Sequence, residues 1–327
     1  MKLFTAPPLS QFADAPAKPR SPAPVSPAPT PVAPTSSAAA VAASTPAASA
    51  PGAKNARRAV TTIPETPARL RLTTIPRMAA GGRWRVETMR ALSEPMLVWI
   101  TRGQGRLTLG GITRGYAANN AIFIPAGVMH AFDLGPQTHG TVLYFGRACD
   151  VTLPAASHHL RLREPKVQSE LTGLLDAVAR EMESDRPASD RALRHHLGLL
   201  GVWLERQVET AGAGANAPRL PAPRRLAARY AAALEGGFRK GLNVADFAAE
   251  LGVTPTHLTR ACREACGRSA SQMLRERRLH EARRLLRDTR APVGEIAASL
   301  GFASAAYFTR AFHAETGQTP SDFRRGV

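Results

Sequence analysis

The sequence predicts a multidomain α and β protein, in which an all-β segment is followed by a helical hairpin and an all-α C-terminal region built on a double helix-turn-helix. Three observations carry this reading. Short branched and aromatic runs, punctuated by Gly and Asn, fill residues 61–147. Leucines recur at helical spacing through residues 166–210, and the C-terminal region matches itself at a shift of about 50 residues. The chain has 327 residues, enough for two domains with extensions.

Residues 1–60 hold 12 of the 27 prolines and few large apolar side chains. Proline blocks ladder hydrogen bonds, and little apolar surface is available to offset chain entropy. A disordered Pro/Ala-rich tail with polyproline character is expected there, and Lys54, Arg57 and Arg58 would serve any docking role. In the next region, residues 61–165, candidate strands are Trp84–Met89, Met96–Thr101, Gly105–Leu109, Ile112–Tyr116, Ala121–Ile124, Met129–Leu134 and Thr141–Phe145. Turn signals at Gly103, Gly110-Gly111, Asn119-Asn120 and Gly127 separate them, so a sandwich or small barrel is predicted.

Residues 166–210 read as an antiparallel helix pair. Leu171, Leu174, Leu175, Val178 and Met182 line one stripe; Leu193, Leu197, Leu200, Leu204 and Val208 line the other, after a break at Pro187 with Ser189 as N-cap. The stripe serves equally well to pack on the β-segment or to form a dimer seam. Residues 211–223, rich in Ala, Gly and then Pro, read as a linker, and residues 224–327 as the last domain.

Within that last domain, Val244–Cys262 matches Val293–Phe312. Each copy has a small residue (Ala248 or Ala297) where a second helix must cross closely. Four residues later comes a glycine (Gly252 or Gly301) able to end the first helix in the left-handed conformation. Thr254 or Ser304 then caps the second helix. Leu258 and Cys262, or Phe308 and Phe312, point inward. The N-terminal part of such a second helix enters the DNA major groove. The exposed face predicted to do so carries Thr256, Thr259, Arg260 and Arg263 in one copy, and Ala306, Tyr307, Thr309, Arg310 and His313 in the other. A lone arginine on a helix is ordinarily just solvated. Arg260 and Arg310 stand at equivalent places in two repeated units, which points to DNA contact. The Arg-rich stretch Gln272–Arg287 is read as a long helix spacing the two heads.

The charge agrees. The formal net charge is +18, and residues 218–327 carry 19 basic against 10 acidic side chains, half of the excess. Such a domain suits a polyanion, because neutralising phosphates releases counterions; an anionic membrane surface would also attract it. Three cysteines, Cys149, Cys262 and Cys266, make no disulfide framework, and the pair four residues apart lacks further zinc ligands. No run is apolar enough to span a membrane, and the N-terminus lacks a signal-like apolar core, so a cytoplasmic location is expected.

The segments Ile296-Ala-Ala-Ser-Leu-Gly-Phe302, Tyr307-Phe-Thr-Arg-Ala-Phe312 and Gly317-Gln-Thr-Pro-Ser-Asp-Phe-Arg324 give residues 224–325 a resemblance to the AraC-type family of bacterial transcription regulators. His313 stands where that family commonly has Lys or Arg, and Ala270 where it commonly has Pro. Pro255–Arg263 with Glu281-Ala-Arg-Arg-Leu-Leu286 is similar to regulators of aromatic-acid catabolism. The resemblance implies a cupin-like β-barrel as sensor, a dimerising helix pair, double-stranded DNA, a small-molecule effector and RNA polymerase as partners, and activation of a catabolic operon. Gly103-Gln-Gly105 and Pro125-Ala-Gly-Val-Met-His130 fit the cupin turn pattern. The paired-His metal motif of cupin enzymes is absent and only His130 remains, so no metal, cofactor or enzymatic activity is expected. Trp99, Arg106, Tyr116, His130 and Tyr144 are the candidate effector-lining residues, each with barrel core or surface as its alternative. A cupin enzyme with a DNA-binding appendage, or an architectural DNA protein without a ligand, are the competing classes.

Overall fold

The computed structural model describes residues 69–80, 84–147, 150–213 and 220–326. The Pro/Ala-rich tail, Cys149 and the centre of the expected linker lie outside them.

Among the described residues, eight strands form two antiparallel sheets. One has the order β1 (Arg71–Thr74), β7 (His139–Tyr144), β2 (Met96–Arg102), β5 (Asn120–Ile124), β8 (His158–Arg161). The other has the order β4 (Ile112–Tyr116), β3 (Gly105–Leu109), β6 (His130–Leu134). No strand pairing joins the two among the described residues, so the expected barrel is instead an open pair of sheets. Side-chain alternation explains the layering. Met96, Val98 and Ile100 of β2 meet Leu107 of β3 and Phe132 of β6 in a core between the sheets. Leu97 and Trp99 face the other way, into a second core. Both faces of β2 and β5 are therefore covered over Met96–Ile100 and Ala121–Ile124, which read as unbroken apolar runs.

The second core is closed by α3 (Pro165–Met182) and α4 (Ser189–Ala213), through Leu171, Leu175, Val178, Leu197, Leu200 and Leu204. The leucine stripe thus packs on its own β-domain, while Leu199 and Val202 on the same α4 stay exposed. Ser189 does not cap α4 as expected: its hydroxyl donates to the Arg186 carbonyl at 2.8 Å. Ala188, at φ 65°, turns the chain, and its carbonyl accepts from the N–H groups of Arg191 and Ala192 in the first turn of α4.

Two corrections concern the edges of the β-region. Trp84–Met89 is not a strand. After α1 (Ile75–Ala79), residues Trp84–Glu87 form the single helical turn α2, which drops Val86 into the inter-sheet core. Branched residues suit either fate, and tertiary burial decided. The terminal strands β1 and β8, with sequences RLTT and HHLR, carry no apolar alternation. They exist because β7 and β5 offer edges to pair with.

The C-terminal region is all helical: α5 (Ala222–Gly237), α6 (Val244–Glu250), α7 (Pro255–Cys266), α8 (Ala270–Asp288), α9 (Val293–Ser299), α10 (Ala305–Thr316) and α11 (Pro320–Arg325). Its core, centred on Phe247, Leu258, Leu279, Phe308 and Phe312, runs without interruption into Met89, Met129 and Ala131 of the β-domain. Among the described residues, no helix is long and apolar enough to cross a membrane.

Candidate nucleic-acid interface

The two halves of the repeat share the geometry of the turn and of the second helix, while their first helices start differently, α9 having Pro292 at its N-cap and no side-chain cap. Asn243 caps α6 in a full capping box with Asp246. The first helix of each unit ends on a left-handed glycine, Gly252 or Gly301, both at φ 72°. The second helix is then capped by a hydroxyl: Thr254 accepts from the His257 N–H at 3.2 Å, and Ser304 from the Tyr307 N–H at 3.1 Å. Gly267 and Gly317, at φ 72° and 73°, end α7 and α10. Ala248 and Ala297 are buried at the helix crossings, as are Leu258 with Cys262 and Phe308 with Phe312.

With one face of each second helix held in the core, the opposite face is free. Thr256, Arg260 and Arg263 of α7 are exposed and Thr259 is half-buried. On α10, Ala306, Tyr307, Arg310 and His313 are exposed and Thr309 is half-buried, its hydroxyl donating to the Ala305 carbonyl. Tyr307 is 53% exposed, unusual for so large a ring, and lies 6.2 Å from Phe302 between centroids. All nine sequence-predicted residues thus fall on the outward faces of the second helices.

The spacer helix α8 is less solvated than its arginine content suggests. Glu276, Arg277, Glu281 and Arg283 are buried. Arg277 donates to Glu235 at 2.7 and 2.8 Å and to Glu281 at 3.1 Å. Burial alone would lower its pKa, but these carboxylates raise it. Burial likewise opposes ionisation of Glu281, yet Arg277, Arg284 and Arg239 hold its carboxyl well below the usual range. Arg278 donates to the carbonyls of Phe238 and Leu242, fixing the turn ahead of α6. The arginines of α8 are therefore partly internal struts between the two units, so the formal charge overstates the basic surface.

The five candidate effector-lining residues do not share one cavity. Trp99 points into the core under α3, and its indole N–H donates to Thr172. Arg106 is exposed on β3. Tyr116 lies between the sheets, its hydroxyl 3.3 Å from the Asp133 carbonyl. Burial raises the pKa of both Tyr116 and Tyr144. His130 is buried; Nδ1 donates to the Val128 carbonyl at 2.9 Å, and Nε2 accepts from Arg90 Nε at 3.2 Å. Burial, with Arg90 beside it, pushes its pKa down to about 3, so the ring is neutral. Tyr144 alone of the five reaches a large cleft, with the Arg71 guanidinium over its ring at 3.9 Å. Among the described residues, no group of three His, Cys, Asp or Glu is placed to hold a metal ion.

The sequence reading also missed a polar seam between the β-domain and the first unit. The buried Met89 N–H donates to Glu276 Oε2 at 2.9 Å, and Arg268 donates to the Glu87 carbonyl at 2.7 Å. These partners lie 187 and 181 residues apart, beyond any local pattern.

Residues 247–326 match a family described as a helix-turn-helix domain. The HTH-type transcriptional regulator GlxA of Rhizobium meliloti (strain 1021) is 39% identical over 92 residues, 28% of this chain and 28% of that protein. The arabinose operon regulatory protein of Escherichia coli (strain K12) is 32% identical over 84 residues, 26% of this chain and 29% of that protein. A solved structure of ToxT from Vibrio cholerae aligns with 79% of this chain and 98% of its own, at 11% identity and a TM-score of 0.36. The match spans under a third of the length of each of these two curated relatives.

Proposed function

We propose, from the AraC-type helix-turn-helix domain that forms the C-terminal part of this chain, that the protein is a sequence-specific, ligand-responsive transcription regulator acting on double-stranded DNA. One observation carries the reading: two identically capped helices, α7 and α10, each present an exposed arginine, Arg260 or Arg310, at the same place in the repeat. A guanidinium in the major groove bridges O6 and N7 of guanine. Two such helices spaced by a helical turn of DNA, about 34 Å, read successive grooves from one face. Thr256, Thr259, Arg263, Ala306, Tyr307, Thr309 and His313 complete the reading surface, with His313 supplying less phosphate attraction than Lys or Arg would.

The finer reading is an activator of a catabolic operon, with aromatic-acid genes the first promoters to examine and RNA polymerase the downstream partner, working in the cytoplasm. The exposed Leu199 and Val202 on α4 support a homodimer through the helix pair. The test is a footprint and mobility shift across genomic promoters. Arg260→Ala and Arg310→Ala are each expected to cost about 1–3 kcal/mol at one guanine position and to relax preference there. Uniform weakening on all sequences, or equal retention of every promoter, overturns the reading.

A further inference from the structure

A cleft of about 990 Å³ lies between the β-domain and the helices α5 and α8. Eight arginines and four carboxylates line it. Each carboxylate is ion-paired, Glu94 through Oε1 with Arg71 (its Oε2 is buried and unpartnered), Glu235 with Arg277, Glu281 with Arg239 and Asp288 with Arg287. Arginines thus outnumber carboxylates in the lining.

Arg90 shows the consequence most sharply. It is 3% exposed, and its side chain makes a single hydrogen bond, from Nε to the neutral His130. Among the described residues no carboxylate reaches it. Burial pulls its pKa down to about 10, yet it remains a cation at neutral pH, buried without a counter-charge. Across the cleft, on α8, Nδ1 of His280 is shut off from solvent and has no hydrogen-bond partner. The His280 ring is held neutral by burial and then by Arg90, whose charge reaches it. A neutral imidazole with its proton on Nδ1 is a donor, and His280 lines the same cleft as Arg90. At the rim, Arg77 is exposed, with no carboxylate in reach among the described residues.

We propose that this cleft binds a small organic oxyanion of two or more negative charges, a polycarboxylate or a phosphate ester, clasped between Arg90 of the β-domain and His280 of α8. Such a ligand supplies the counter-charge that Arg90 lacks and a partner for the orphaned imidazole, and it ties the β-domain to the helix that spaces the two reading heads. As the effector, this ligand rests on the regulator reading; as a binding site, the cleft stands without it.

The full chain, free of DNA, is titrated with phthalate, citrate and inorganic pyrophosphate, followed by thermal unfolding and calorimetry. Benzoate and sodium chloride at matched ionic strength are the singly charged controls. At least one multiply charged probe is expected to give a saturable rise in Tm, and the identity of that probe separates carboxylate from phosphate recognition. Arg90→Met is expected to weaken binding about 10- to 100-fold, by loss of charge-assisted bonds. Arg77→Ala, at an exposed position, keeps the fold and weakens binding less. Arg310→Ala, on α10, leaves it unchanged. The proposal is overturned if no probe gives a saturable shift, if Arg90→Met and Arg77→Ala bind as the parent does, or if Arg310→Ala abolishes the response, which would place the anion on the DNA face. A saturable clasp alongside promoter-indifferent footprints would sink the regulator reading alone.

Discussion

Gly252 and Gly301 share φ 72° but not surroundings. A Cβ on Gly252 would meet open space, whereas one on Gly301 would sit 2.6 Å from the backbone of Gly241. Gly252→Ala is expected to cost only the left-handed penalty, about 1–2 kcal/mol. Gly301→Ala adds a clash with backbone that cannot rotate away, and should cost visibly more in urea midpoints measured side by side; equal costs would refute the close approach. His130 makes a second residue-scale prediction. Its folded pKa of about 3 lies below the unfolded value of 6.5, so the unfolded state takes the proton first. Stability is complete above pH 6.5 and is lost as pH falls toward 3, at up to about 1.4 kcal/mol per pH unit. The half-buried His280, whose pKa is also lowered, acts with the same sign. His130→Gln should flatten the slope of urea midpoint against pH between 6.5 and 5, and an unchanged slope would mean the ring is solvated.

At the scale of elements, α7 and α10 are short helices whose positions depend on their first turns. Removing a hydroxyl cap by Thr254→Ala or Ser304→Ala should cost about 1 kcal/mol each, read by chemical denaturation. The repeat was legible because its signals are local: the glycine, the cap and the i, i+4 apolar pair lie within about 20 residues. The same holds for β2 to β7, whose turns the sequence marks. The Trp84–Glu87 turn and the edge strands β1 and β8 were not legible, since Val86 is placed by a core it does not create and β1 and β8 by neighbouring edges. Among the candidate site residues, exposure of the nine on α7 and α10 followed from helical period. The five sensor candidates scattered, because alternation on β2 sends Trp99 away from the inter-sheet core while Tyr116 on β4 points into it.

At the scale of the molecule, the β-domain and the first helix-turn-helix share an apolar core and the Glu276 and Arg268 seam. Glu276→Leu deprives the buried Met89 N–H of its acceptor, so amide exchange at Met89 is expected to accelerate while protection at Phe308 and Phe312 in the second unit persists. Equal loss in both units would show a merely global destabilisation. The amino-acid order alone settled the doubled helix-turn-helix unit, its outward arginines and the β-then-α succession, because each rests on periodicity and turn chemistry within a few residues. Only the folded arrangement decided which arginines are internal struts, that the buried Arg90 has no carboxylate in reach among the described residues, and where a cleft opens. The seam joins groups 187 and 181 residues apart, and the struts from Arg277 and Arg239 reach carboxylates 42 residues away, separations that helical period and turn chemistry do not encode.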